Sequence, residues 1–198
     1  MSAYPPVALL AALLATVAAA GAAPAAADAP AATHYVLDPA RSTLEFSFSQ
    51  AGAQNKGRFR RFTTVLDLAA DNAASRLEVT VDMSSVDTGD DERDGTLRDA
   101  DLFAVKKFAQ ARFSAAQIVK TASGYEAVGK LTIRDITRDV RVPFTFRTAT
   151  EQGASVGYMS GRTSLRRLDF GVGQGDWRAT DQVGNDVGVS FALRLTAH

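Results

Sequence analysis

The segment Val187–Leu195, VGVSFALRL, carries an apolar residue at every second position. Successive side chains of a β-strand point to opposite faces, so this pattern predicts a strand with one apolar face and one solvated face. Antiparallel sheets that cover a single core typically show such strands. A long strand of this kind at an open sheet edge would be prone to aggregate, which favours closure of the sheet.

The same two-residue period recurs in seven other parts of the chain, and turn-forming residues lie between them. Eight antiparallel strands without βαβ spacing predict an all-β fold, either a closed barrel or a sandwich. An eight-stranded barrel can hold one small ligand in its interior. The seven further segments are 43–48, 57–68, 77–83, 112–121, 125–134, 140–147 and 155–165.

The N-terminal residues are typical of an export signal. Val7–Ala20 is an apolar run of the length of a signal-peptide core, and Ala25–Ala27 offers a cleavage site. No Lys or Arg precedes this run, which departs from the standard signal. The sequence predicts a signal peptide over 1–27 cleaved near Ala27, a linker over 28–34 and one domain over 35–198.

Composition limits the classes of function. The chain has 22 basic and 22 acidic residues, a balance that argues against nucleic acid or an anionic membrane as the main partner. It has no cysteine, so neither a disulfide framework nor a cysteine zinc site is possible. The two histidines, His34 and His198, lie at opposite ends of the domain and approach each other only if the first and last strands pair.

A charged segment interrupts the strand pattern. Residues 90–108 lie within SVDTGDDERDGTLRDADLFAVKKFAQARF (85–113), which is too charged for a buried strand. Asp99 or Asp101 could cap a short helix through Leu102, Phe103 and Phe108. An insertion of this length is usually functional or locally structured, so we expect it to cover one end of the barrel as a lid.

This insertion contains two motifs that suggest chemistry. Val86-Asp87-Thr88-Gly89 resembles an aspartic-protease triplet, but that reaction needs a second carboxylate and only one copy is present. The spacing of Asp90, Glu92, Asp94 and Asp101 resembles an EF-hand loop. Glu92 is too long for its position, Arg98 stands where an oxygen ligand belongs, and Arg93 and Arg98 neutralise the carboxylates, so calcium binding and hydrolysis are minor alternatives. The alternative readings are a strand end and a solvated helix with Asp94–Arg98 pairing.

Three other motifs have structural interpretations. Asp169-Phe170-Gly171 resembles a kinase motif by its letters alone, since no HRD sequence accompanies it. The glycines of 171–175 lack the strand–turn–helix context of a phosphate loop and indicate a bent loop packed beside Trp177. Arg58–Phe62 alternates basic and aromatic residues, which predicts outward arginines, inward phenylalanines and a bulge where the alternation slips.

An ordered set of short motifs over about 160 residues resembles the bacterial YceI-like family. Two features depart from the family pattern: Ser49–Gly52 lacks the histidine that many members carry after the first strand, and 173–177 is typical of a subgroup. The matching elements are Tyr35–Pro39 with Ser42, Phe46 and Phe48, then Gly57–Phe59, Ser85–Thr88, Arg93-Asp94, Leu97-Arg98, Ala100-Asp101, Gln110–Phe113, Gly129–Ile133 with Thr137 and Val140, and Arg167 with Asp169–Gly171.

The resemblance implies a lipocalin-like barrel with an apolar tunnel, a periplasmic location and binding of a polyisoprenoid, prenylquinone or fatty-acyl lipid. It implies no catalysis, no metal and no cofactor beyond such a lipid. An alternative is an unliganded module that docks to a membrane redox protein of the cytochrome b561 type, as some relatives do. The residues expected to line the lipid site are Phe46, Phe48, Val81, Phe113, Leu131, Phe144, Phe146 and Phe191.

Overall fold

The computed structural model describes residues 32–69 and 75–198. The predicted signal peptide and the first four residues of the predicted linker lie outside the described residues. The first strand begins at Thr33, two residues before the predicted start of the domain. Eleven strands and one α-helix follow the order β1 Thr33–Leu37, β2 Thr43–Gln50, β3 Ala53–Phe59, β4 Phe62–Leu68, β5 Arg76–Asp82, β6 Val86–Asp87, α1 Asp91–Arg98, β7 Gln110–Thr121, β8 Gly124–Ile133, β9 Ile136–Glu151, β10 Ala154–Arg166 and β11 Val183–Ala197.

The strands close into an antiparallel barrel. The pairs β1/β2, β3/β4 and β5/β6 each form one bent stave, so the eleven strands of the described residues make eight staves in an up-and-down order. Strand β11 closes the ring, because it pairs with β1 through Leu195–Ala197 and with β2 over most of its remaining length. The predicted eight-stranded barrel is therefore confirmed, and the predicted long last strand is the one that removes the open edge.

The pairing of the first and last strands brings the two histidines together. The backbone N–H of His198 donates to the carbonyl of His34 at 2.9 Å, while His34 Nδ1 lies 2.6 Å from Asp67 Oδ1. His34 thus takes part in the pairing of the barrel staves rather than in a zinc or triad arrangement.

The bend within the β3/β4 stave lies at Arg60 and Arg61, where the predicted slip in alternation occurs. Phe59 and Phe62, on either side of the bend, pack into the interior. Arg60 turns outward and lies 2.8 Å from Asp87, and Arg61 donates to Asp82 at 2.9 Å. Outward arginines and inward phenylalanines are confirmed, so the segment is a bent stave of the barrel wall.

The helix of the insertion lies earlier than the sequence suggested. Asp90 caps α1 by accepting from the N–H of Arg93 at 3.0 Å, and the helix ends at Arg98. Turns occupy the region where a helix capped by Asp99 or Asp101 was predicted, so that placement was wrong. Asp90 is the favoured cap because three of the next four residues are acidic, and acids in the first turn interact favourably with the helix dipole.

Candidate functional site

The half of the barrel interior near α1 encloses a cavity of about 460 Å³. This size is within the usual range for small-molecule sites, roughly 300–1,000 Å³. We call this half the hollow half. Its wall is largely apolar and includes Val79, Val81, Val140, Val142, Val187 and Val189 from three strands, with Leu97, Leu102, Phe170, Val172 and Trp177 from the segments at the mouth.

The opposite half of the interior is packed with side chains, and we call it the filled half. Tyr35 packs edge-on against Phe146 with ring centroids 5.2 Å apart, and Tyr125 stacks on Phe144 at 5.5 Å. These aromatic contacts close the barrel below the cavity. The buried members of the filled half include Tyr35, Leu66, Leu77, Ile118, Phe144, Met159, Leu193 and Leu195.

Residue size along β9 contributes to the difference between the two halves. The inward positions of β9 change from Val140 and Val142 beside the cavity to Phe144 and Phe146 in the filled half. On β11, Val187 and Val189 give way to larger side chains in the same direction. A short β-branched side chain fills less of the interior than a phenyl ring does, so β9 leaves space in one half and makes contacts in the other.

The structure separates the eight predicted lining residues into two groups. Phe144 and Phe146 lie in the filled half and not on the cavity wall, because their rings pack against Tyr125 and Tyr35. The other six line the cavity: Phe46, Phe48, Val81, Phe113, Leu131 and Phe191.

Two of these rings lie flat on glycines of a neighbouring strand. A Cβ added at Gly57 would fall 2.3 Å from the Phe46 ring, and one added at Gly161 would fall 2.6 Å from the Phe191 ring. Any larger residue at these glycines would push the ring toward the cavity. The two glycines therefore keep part of the cavity volume open.

Helix α1 covers the mouth and is anchored by a buried carboxylate. Asp94 is 5% exposed, and its Oδ1 accepts from the N–H of Thr88 at 2.8 Å and from the Thr88 hydroxyl at 2.7 Å. Arg98 donates to the carbonyls of Ser84 at 3.0 Å and Val86 at 2.6 Å. The segment that resembled a protease triplet thus ends β6, as predicted, and holds the helix through Thr88.

Asp94, one of the residues with EF-hand spacing, serves in this anchor. Asp94 faces Thr88 instead of Asp90 and Glu92, and its contact with Arg98 is long at 3.9 Å. Sequence reasoning expected a solvated pair at this position, whereas the carboxylate is buried. Across residues 32–69 and 75–198, no group of three His, Asp or Glu side chains is placed to hold a metal ion.

Arg167 is the least expected feature of the cavity wall. It is 6% exposed and donates five hydrogen bonds, all to backbone carbonyls. Burial lowers the pKa of its guanidinium, and none of the ion pairs within the described ranges involves it. The acceptors are the carbonyls of Gly184 at 3.0 Å, Val172 at 2.9 Å, Trp177 at 2.7 Å, Ala179 at 3.1 Å and Val183 at 2.8 Å.

These bonds explain the glycine cluster at 171–175. Gly173 has a φ of +119°, and a Cβ at this position would lie 2.0 Å from a guanidinium nitrogen of Arg167. The N–H groups of Gly173 and Gln174 donate to the carbonyl of Asp101 at 2.9 and 2.8 Å, which ties this loop to the insertion. The predicted bent loop beside Trp177 is confirmed, and its function is to enclose Arg167.

The polar groups on the cavity wall are balanced in charge. Glu45, Asp90 and Glu92 supply three carboxylates, while Arg93, Arg112 and Arg167 supply three guanidinium groups. Arg93 lies 3.5 Å from Asp90, and Arg112 donates to Gln110 at 2.7 Å. The cavity thus combines a large apolar wall with balanced charges: Arg167 uses its N–H donors on carbonyls, whereas Arg112 has a neutral partner, Gln110, within the described chain.

Sequence reasoning did not identify the valines of β9 and β11, the mouth residues or Arg167 as site residues. For the valines a signal was available, because the inward positions of both strands change from small to large in the same direction. Arg167 gave no comparable signal, since its acceptors are spread over residues 172–184 and meet only in the folded loop. No helix in the described part of the chain is long and apolar enough to cross a membrane.

Comparison with known proteins supports the fold and the family. The structure of Burkholderia cenocepacia BcnA superposes with a TM-score of 0.73 at 29% identity, covering 80% of this chain and 98% of that one. A polyisoprenoid binding domain from Saccharophagus degradans, implicated in plant cell wall breakdown, superposes with a TM-score of 0.63 at 18% identity, covering 83% and 98%. The latter comparison concerns the fold alone.

Sequence relatives agree with this fold. A UPF0312 protein of Vibrio cholerae is 32% identical over 148 residues, covering 71% of this chain and 78% of the relative. A UPF0312 protein of Vibrio vulnificus is 30% identical over 149 residues with the same coverage. The family model described as the YceI-like domain matches residues 35–195, so the chain belongs to the YceI-like family.

Proposed function

We propose that this protein binds an amphipathic lipid in the hollow half of its barrel and acts as a carrier without catalysis. The observation that carries the proposal is the cavity of about 460 Å³ with its largely apolar wall. Burial of a prenyl or acyl chain gains about 0.8 kcal/mol per CH₂. Ten such groups would give about 8 kcal/mol, which corresponds to micromolar affinity before ordering costs are subtracted.

The resemblance to the polyisoprenoid binding domain of Saccharophagus degradans supports a ligand of this class. A polyisoprenoid, a prenylquinone and a fatty-acyl lipid all present the long apolar chain that the wall favours. A periplasmic location, with the leader removed near Ala27, fits a carrier that moves such a lipid through water. The protein needs no cofactor in this function, because the lipid is its cargo.

The charges on the cavity wall favour a lipid with a neutral head. A diphosphate group is normally bound by several free guanidinium or ammonium groups. Here three carboxylates of the wall offset its three guanidinium groups, and Arg167 has already committed five N–H donors to carbonyls. A prenyl alcohol or a quinone should therefore bind more tightly than the diphosphate of the same chain.

Native mass spectrometry of the protein purified from its own host, followed by lipid extraction, tests the proposal. We expect a stoichiometric lipid in the protein that is released on denaturation. In the purified protein, geranylgeraniol should bind more tightly than geranylgeranyl diphosphate. A ligand-free mass together with no binding of prenyl or acyl probes would refute the carrier function and favour a module that docks to a membrane redox protein.

A further inference from the structure

A second concave site lies on the outside of the barrel, away from the lipid cavity. It has a volume of about 310 Å³ and is formed by strands β9, β10 and β11 with the turn that follows β1. We call it the outer-wall pocket. The side chains that form it and carry the argument are Arg41, Thr145, Arg147, Tyr158, Ser160 and Arg194.

The pocket is concave because small and large residues form adjacent rows across the three strands. Ser160 pairs with Thr145 on β9 and with Ala192 on β11, which gives a floor of short side chains. In the next row Tyr158 pairs with Arg147 and Arg194, which gives a tall side wall. Side chains in register on one sheet face are close neighbours, so the floor and wall are continuous.

One part of this wall is held rigidly by its own carboxylates. Arg194 lies 2.8 Å from Asp38 Oδ2 and 2.8 Å from Glu151 Oε2. The Tyr158 hydroxyl donates to Glu151, and this bond and Arg194 lower the pKa of the Glu151 carboxyl. Glu151 is therefore ionised at neutral pH and neutralises much of the charge of Arg194. This part of the wall fixes the shape of the pocket, but its positive charge is largely neutralised by the two carboxylates.

The positive charge of the other two arginines, Arg41 and Arg147, is less neutralised by neighbouring carboxylates than that of Arg194. The guanidinium carbon of Arg147 lies 4.0 Å from the centre of the Tyr158 ring, and its N–H groups make no ion pair within residues 32–69 and 75–198. Arg41 reaches carboxylate oxygens only at 3.6 and 4.0 Å. Three guanidinium groups thus face two carboxylates, and the excess positive charge lies on Arg41 and Arg147.

We propose that the outer-wall pocket binds an oxyanion, such as a phosphate, through Arg41 and Arg147. The planar guanidinium fork matches phosphate oxygens with two parallel hydrogen bonds. The hydroxyls of Thr145 and Ser160 lie 3.0 Å apart on the floor, where one donates to the other and leaves a single O–H for an anion. The outer-wall pocket shares no lining residue with the lipid cavity, so the second site does not depend on the lipid-carrier function.

The oxyanion can be a soluble phosphate or the headgroup of an anionic lipid in a bilayer. In the first arm of the test, inorganic phosphate is titrated into the isotopically labelled protein at constant ionic strength set with chloride. We expect amide shifts at Thr145, Ser160 and Ala192. In the second arm, the protein is mixed with vesicles of phosphatidylglycerol or of phosphatidylcholine, and we expect binding to the former alone if the headgroup is the ligand.

Variants separate this site from general electrostatics. Arg147→Gln and Arg41→Gln should each raise the dissociation constant for the bound oxyanion about tenfold or more, because each removes one charged fork. Arg162→Gln removes an exposed arginine of the same sheet face outside the pocket, and should leave binding unchanged. Arg147→Lys should bind with intermediate affinity, since it keeps the charge without the fork.

Binding that is lost in Arg147→Gln and kept in Arg162→Gln supports the site. The arm in which binding occurs shows whether the oxyanion is a soluble phosphate or a lipid headgroup. Equal loss in all three glutamine variants would show a diffuse charge effect and overturn the proposal. No binding in either arm would also overturn it. An amide spectrum of Arg147→Gln that matches the wild type outside the pocket excludes misfolding as the cause of a loss.

Discussion

The two halves of the barrel interior are built from the same strands and have opposite properties. In the filled half, Phe144 and Phe146 pack against tyrosines and close the barrel. In the hollow half, Val140 and Val142 of the same strand leave space that the mouth segments enclose. Alternation of apolar residues thus builds the wall, and along β9 the size of the inward residue distinguishes the part that packs as a core from the part that borders the cavity.

This comparison implies a division of roles. The filled half should supply most of the stability, because its side chains gain both burial and close packing. The hollow half gains burial without the same packing, and its shape depends on polar anchors such as Arg167 and Asp94. Changes in the first half should alter the free energy of unfolding, and changes in the second should mainly alter ligand affinity.

The largest effect is expected at Arg167, a buried polar anchor with no carboxylate partner among the described residues. Arg167→Met removes five donors and leaves their carbonyls without partners, so the free energy of unfolding should fall by about 3–5 kcal/mol. Arg166→Met, at its exposed neighbour, should change it by less than about 0.5 kcal/mol. Urea denaturation measures both, and equal effects would contradict the importance of the buried cage.

A truncation in the filled half should act on stability more than on binding. Phe144→Ala removes a ring that is 3% exposed, and the free energy of unfolding should fall by about 3 kcal/mol. Phe191→Ala, on the cavity wall, should lower the free energy of unfolding less than Phe144→Ala does. It should lower the affinity for the lipid more. Thermal unfolding and prenyl-probe titration of both variants measure the contrast, and the reverse pattern would show that the division of roles is wrong.

Filling the hollow half should abolish binding with little loss of stability. Val142→Phe extends the aromatic series of β9 into the cavity, and the affinity for a prenyl probe should fall about thirtyfold or more. Val119→Phe places the same ring on an exposed position of β7, and affinity should be unchanged. Retained binding in Val142→Phe would place the ligand outside this cavity.

The anchor of α1 should have a smaller and local effect. Asp94→Ala leaves the N–H and hydroxyl of Thr88 without their acceptor, and the free energy of unfolding should fall by about 1–2 kcal/mol. Hydrogen exchange of residues 90–98 should become faster, while exchange in the filled half stays slow. Asp91→Ala, on the exposed face of the same helix, serves as the control and should leave exchange close to that of the wild type.

The smallest effect is expected on the stability of the folded protein at acidic pH. Arg58 and the N–H of Gly89 hydrogen-bond Asp87 and hold the pKa of its carboxyl below the ordinary value of 3.8. A carboxyl with a lowered folded pKa contributes stability above its unfolded pKa and loses it as the pH falls through the folded pKa. The wild-type melting temperature should therefore fall further than that of Asp87→Asn below pH 3.8. Parallel acid curves would contradict a contribution from Asp87.

The strands and most of the lining residues were predictable from the sequence, whereas the start of the helix was not. The eight staves were predictable because each strand carries its own period of two, as Leu77 to Met83 does. Six of the eight proposed lining residues lie on the cavity wall for the same reason. The start of α1 was misplaced, because Asp90, Asp99 and Asp101 are all acceptable caps. The acidic first turn after Asp90 is visible in the sequence, but the bond between Thr88 and the Asp94 carboxylate is not.

The sequence by itself determined the strands, their inward faces and the small-to-large change along β9 and β11, because these are properties of neighbouring residues. Tertiary structure alone decided the register in which β11 pairs with both β1 and β2, that Arg167 would gather five carbonyls and that Arg41 and Arg147 would line one pocket on the outer wall. Those contacts join residues far apart in the chain. Local periodicity does not encode them, and they exist only when the whole barrel is closed.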